Sequence, residues 1–130
     1  MKRLAITASV AAALALSSAA LAAGTLSGTY KTKITGTALG GSLNGTWTIK
    51  FKSGNYTVTD EGIAVVHGKY SIKGTKITLN DKSGKDACPG PGIYKFKLTV
   101  KKLKFTRVSD PNGNCIGRVT VLAGSYTKVG

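Results

Sequence analysis

From about residue 28 onward, apolar and polar positions alternate with a period of two. Tyr30, Thr32 and Ile34 alternate with lysines, and Trp47, Ile49 and Phe51 alternate with Thr48, Lys50 and Lys52. The pattern recurs through Tyr56 and Val58, Tyr70 and Ile72, Ile77 and Leu79, then Tyr94, Phe96 and Leu98, and Leu103 and Phe105. One apolar face every second residue predicts half-buried antiparallel strands, because successive side chains of a strand point to opposite faces. No window in this region sustains a helical period. Eight strands are predicted, at about 28–36, 45–52, 55–60, 64–73, 75–81, 92–99, 102–109 and 116–127. Short glycine-bearing steps such as Ser53-Gly54, Glu61-Gly62 and Lys73-Gly74 read as the turns between them.

The spacing Gly-x-aromatic occurs six times, at Gly28-Tyr30, Gly45-Trp47, Gly54-Tyr56, Gly68-Tyr70, Gly92-Tyr94 and Gly124-Tyr126. Positions i and i+2 share a strand face. A glycine on the inner face lets a strand bend or clears space for a neighbouring ring, as strongly curved sheets require. Eight consecutive curved antiparallel strands predict closure into an up-and-down barrel, which removes the sheet edges. A two-sheet sandwich is the alternative.

Residues 1–22 read differently. Met1-Lys2-Arg3 is basic, Leu4 to Leu16 is apolar, and Ala20-Leu21-Ala22 is a small-x-small cleavage site, the three parts of a secretory signal peptide. The expected mature domain is 23–130, exported to the cell exterior or periplasm. No later segment is apolar for long enough to span a bilayer as a helix. Removing Lys2 and Arg3 takes the formal charge from +14 to +12. In that compartment Cys88 and Cys115 are expected to pair.

At Gly45-Thr46-Trp47 the chain resembles the lipocalin and wider calycin group, and in particular the small secreted bacterial lipocalin-like proteins. The likeness extends over repeated Gly-x-Tyr, the loop Gly84-Lys85-Asp86-Ala87-Cys88, and the segment from Asp110 through Cys115-Ile116-Gly117-Arg118. It implies that Trp47 closes the barrel base and that Arg118, from the last strand, packs across it. The chain is shorter than a typical lipocalin, and no flanking helix is predicted.

Candidate chemistry is sparse. Five acidic residues and one histidine leave little for acid–base or metal catalysis, so a non-enzymatic protein without metal or cofactor is expected. His67 is predicted to point outward. Asp60, Asp81, Asp86 and Asp110 read as turn or surface residues. Small barrels either fill their interior or enclose a small ligand. The candidate lining residues for a small apolar ligand are Tyr30, Phe51, Tyr56, Tyr70, Tyr94, Phe96 and Phe105. Two other partners fit the sequence. A secreted protein could be gripped, as by a protease inhibitor using residues 23–27. Alternatively the outward lysines could bind an anionic envelope polymer. Nucleic acid is not expected, since outward aromatics are missing and arginine is scarce.

Overall fold

A computed structural model describes residues 26–130, so the expected signal segment 1–22 lies outside the described residues. The strands are β1 (Gly28–Ile34), β2 (Gly45–Lys52), β3 (Asn55–Asp60), β4 (Ile63–Lys73), β5 (Lys76–Ser83), β6 (Gly92–Leu98), β7 (Lys102–Ser109) and β8 (Ser125–Lys128). Each pairs antiparallel with its neighbours in sequence, and β8 returns to β1 to close a barrel. Closure is narrow, because β8 pairs with β1 only at Tyr30–Lys128 and Lys31–Thr127. Two backbone bonds between Thr29 and the segment Val129–Gly130, 2.8 and 2.9 Å, extend that seam.

The predicted alternation holds along the first seven strands. Tyr30, Trp47, Ile49, Phe51, Tyr56, Leu79, Tyr94 and Phe105 are buried, and the lysines between them are exposed. The turns explain two positive-φ residues. Ser53-Gly54 and Glu61-Gly62 each place both central residues at φ > 0, the two-residue hairpin geometry whose twist matches that of the strands. Gly68 pairs with Tyr56 across β3 and β4. A Cβ at Gly68 would fall 2.5 Å from both the Tyr56 hydroxyl and the Asn80 carbonyl oxygen, so this glycine clears the space the ring occupies.

The eighth strand is shorter than the alternation predicts. Residues 116–127 do not form one strand. Ile116–Leu122 is a short helix, α1, and only Ser125–Lys128 pairs. The β-branched residues of this segment satisfy a strand pattern locally, but burial decides otherwise. As a helix, Arg118, Val121 and Leu122 stand at i, i+3 and i+4 on one face. That face turns two apolar side chains and one guanidinium inward together. Asn112 opens the segment by accepting from the Asn114 N–H at 2.9 Å.

The up-and-down order gives the barrel two distinct ends. The β1–β2, β3–β4 and β5–β6 connections gather with α1 at one, which carries the disulfide. The β2–β3, β4–β5 and β6–β7 turns gather at the other. The second end is packed. Leu26 is buried there and its carbonyl accepts the Tyr70 hydroxyl at 3.0 Å. Edge-to-face ring pairs fill the neighbouring interior. Tyr30–Phe51 and Phe51–Tyr70 are 6.2 and 5.1 Å apart, and Tyr94–Phe105 and Phe105–Tyr126 are 6.3 and 5.9 Å apart. Each such pair contributes about 0.5–1.5 kcal/mol beyond the area it buries.

Candidate functional site: a cavity at the disulfide end

At the disulfide end the barrel interior is not filled. A cavity of about 500 Å³ runs from the barrel axis to the rim, within the range of small-molecule sites. Its floor and walls are apolar: Trp47, Ile49, Phe51, Val58, Val66 and Leu79 from the strands, with Val121 and Leu122 from α1. Exposed Ser42, Lys85, Asp86 and Asn114 stand at its mouth. Trp47 is held in place by its indole N–H, which donates to the Leu43 carbonyl at 2.8 Å.

One wall is polar and buried: Asp81 and Arg118 line the cavity, and Asp110 and Tyr94 stand behind them. Arg118 donates from Nε and Nη2 to the two oxygens of Asp110, at 2.8 and 2.7 Å, in a bidentate pair. Its Nη2 also donates to the Gly90 carbonyl at 3.0 Å, tying α1 to the β5–β6 loop. The Tyr94 hydroxyl donates to Asp110 at 2.5 Å. Asp81 accepts the Tyr56 hydroxyl at 2.5 Å on Oδ1 and the Cys88 N–H at 3.0 Å on Oδ2. Arg118 Nη1 lies 3.5 Å from Asp81 Oδ1, within reach of an ion pair but without a hydrogen bond. It is a buried donor with no hydrogen-bond acceptor among the described residues. The third feature of the wall is Gly92, where a Cβ would meet Asp110 Oδ2 at 2.7 Å. This glycine makes room for the ion pair, not for a ring.

These contacts set the protonation of the wall. Burial opposes ionisation of Asp110, but the Arg118 guanidinium and the Tyr94 hydroxyl outweigh it and hold the carboxyl below its ordinary range. Burial, and then the adjacent carboxylates, push the Tyr56 and Tyr94 hydroxyls well above theirs, so both remain proton donors. Because the folded-state value of Asp110 is depressed, its stabilising contribution is present above the unfolded value, about 4, and is lost as pH falls through the folded one. Urea midpoints are therefore expected to be flat from neutral pH down to about pH 5 and to fall below about pH 4. In Asp110→Asn most of that acid slope disappears. An unchanged slope in the variant would assign it to other carboxylates.

Of the seven candidate lining residues, Phe51 and Tyr56 line the cavity. Tyr30, Tyr94 and Phe105 are buried elsewhere in the barrel, while Tyr70 and Phe96 are half-buried against the core. Trp47, expected as a structural plug, faces the cavity. Arg118 faces it too, from α1 and not from a strand, and its hydrogen-bond partners are Asp110 and the Gly90 carbonyl. Cys88 and Cys115 form the disulfide that closes this end. His67 is exposed, as predicted.

Comparison of the chain with protein-family models, with curated proteins and with solved structures returned no match. The site therefore stands on its own geometry.

Asp81 and Asp110 escaped the sequence reading as surface acids. The signal for Asp81 was present: Ile77, Leu79 and Asp81 fall on the same inward phase of β5. A carboxylate on the inner phase of a strand needs buried donors, and Tyr56 and Cys88 supply them, with Arg118 Nη1 in ion-pair range at 3.5 Å.

Proposed function

We propose that the protein is an exported, non-catalytic carrier or sensor that holds one small, mostly apolar molecule inside a lipocalin-like barrel. The cavity of about 500 Å³ carries this reading. Seven strands and the interior of the packed end show that this chain fills space with rings where it can. An apolar hollow left open beside a buried ion pair is the exception, and it reaches solvent. Native mass spectrometry of protein purified under mild conditions from the producing culture is the test. A discrete small-molecule adduct, released by organic solvent, is expected. The unliganded mass alone, with no extractable compound, would count against the proposal.

A second reading concerns the exterior and rests on how charge is distributed. All five acidic residues lie at the disulfide end: Asp60 and Glu61 in the β3–β4 hairpin, Asp81 on β5, Asp86 in the next loop and Asp110 after β7. The opposite end carries Lys52, Lys73, Lys76, Lys97, Lys101, Lys102 and Lys128, all exposed, with Val100 at the tip of the β6–β7 turn 90% exposed. Such a pole suits docking on an anionic envelope polymer with the cavity mouth directed away. On an immobilised polyanion, replacing Lys97, Lys101, Lys102 and Lys128 by Gln is expected to lower the eluting salt concentration. The shift should exceed that from four lysines spread over the other faces. Equal shifts would mean that only net charge matters. Of the 23–27 segment, Leu26 is buried and Ser27 exposed, and residues 23–25 lie outside the described residues.

A further inference from the structure

We infer that the occupant of the cavity is an uncharged, largely apolar molecule bearing a hydroxyl or amide group, anchored between Arg118 Nη1 and Asp81 Oδ1. This rests on the cavity being a binding site, as proposed above, and adds the chemical class of its ligand.

The polar wall leaves one donor unused. Nε and Nη2 of Arg118 are occupied by Asp110 and Gly90, whereas Nη1 has no acceptor among the described residues. The Arg118 side chain is only 8% exposed, so bulk water does not solvate it freely. A buried donor of this kind calls for an acceptor. The nearest candidate, Asp81 Oδ1, is 3.5 Å away and already accepts from Tyr56. A carboxylate oxygen accepts more than one hydrogen bond. A group that accepts from Nη1 and donates to Asp81 Oδ1 would complete both. A hydroxyl or an amide does so in one place.

The neighbouring charges weigh against an ion at this point, and against an anion most of all. An acid bound through Nη1 would bring its carboxylate against Asp81, with Asp60 and Asp86 also lining the cavity. A cation bound at Asp81 would meet Arg118 and Lys85. Arg118 is already neutralised by its bidentate partner, so it offers a hydrogen bond more than a free charge. The remaining walls, Trp47, Phe51, Val58 and Leu79 among them, offer only apolar contact.

The test compares four probes of equal chain length: 1-octanol, octanoate, octylammonium and octane. The emission of Trp47, the single tryptophan, reports occupancy at neutral pH, and calorimetry gives the affinities. 1-Octanol is expected to bind about tenfold or more tighter than the other three, the effect of one hydrogen bond to a charged donor. In Asp81→Asn the carboxylate beside Nη1 is neutralised, and octanoate is expected to gain about tenfold. Arg118→Lys, which keeps the charge but withdraws Nη1, should erase the advantage of 1-octanol over octane. Equal affinities, or a preference for octanoate or octylammonium in the wild-type protein, would overturn this inference while leaving an apolar site in place. Failure of all four to bind would overturn the binding site itself. The wild-type rank order decides the matter whether or not a variant folds.

Discussion

Asp110→Ala is expected to destabilise the protein by about 3–5 kcal/mol, the largest effect of any single substitution outside the apolar core. The Asp110 side chain is fully buried and receives three donors, two from Arg118 and one from Tyr94. Its removal leaves a buried guanidinium without its counter-charge and a buried hydroxyl without an acceptor. The cost is that of stranding these groups and exceeds the net worth of the pair. The loss should also be local in its consequences. Arg118 joins α1 to the end of β7 and, through Gly90, to the β5–β6 loop, so these three pieces, two of which line the cavity, lose their common tie. Asp110→Asn keeps one acceptor and a similar shape and is expected to cost less. Urea denaturation compares the two. A loss below about 1 kcal/mol for the alanine variant would mean that the pair behaves as a solvated one.

The second large effect belongs to the disulfide. Replacing Cys88 and Cys115 together by Ala is expected to cost about 3–4 kcal/mol in the chain-entropy description, for a loop closed over 27 residues. Both residues are buried, Cys115 completely. The bond links the loop before β6 to the turn that starts α1. Noncovalent ties remain, including Asn112 Nδ2 to the Pro89 carbonyl at 3.3 Å and the Cys88 N–H to Asp81. The strands are far less dependent on the bond than the roof is. Hydrogen exchange should therefore show protection retained in β2 to β5 and lost first in 84–91 and 110–122. Uniform loss across the barrel would contradict this division.

Most of the barrel is written in the alternation. Seven strands and their turns follow from period-two burial, because each strand has one wet and one dry face and each hairpin is short. The eighth escaped because seven residues are too few to show a helical period. Val119, Thr120 and Val121 also read locally as strand. What decides the segment is nonlocal: a cysteine bonded across to another loop, and an arginine whose buried partners lie 8 and 37 positions earlier in the chain, at Asp110 and Asp81. The site was half legible for the same reason. Trp47, Phe51 and Tyr56 announce an apolar interior. Which aromatic rings pack against one another, and which border a hollow, depends on register and on where α1 lies. The count of five acids suggested sparse chemistry, yet their position at one end of the barrel matters more than their number. It gathers the buried carboxylates Asp81 and Asp110 around Arg118 at the cavity end and leaves the opposite end to lysines.

The most direct test of a ligand-holding cavity is a titration of Trp47 emission with an apolar dye, run in parallel on the wild-type protein and on Val58→Phe. Val58 is half-buried and faces the cavity, so the larger ring fills space that is already there. The dye is expected to bind the wild-type protein saturably at one site, and the variant at least about tenfold more weakly with its fold intact. Dye binding that is absent, or equal in the two proteins, would contradict a cavity that works as a site.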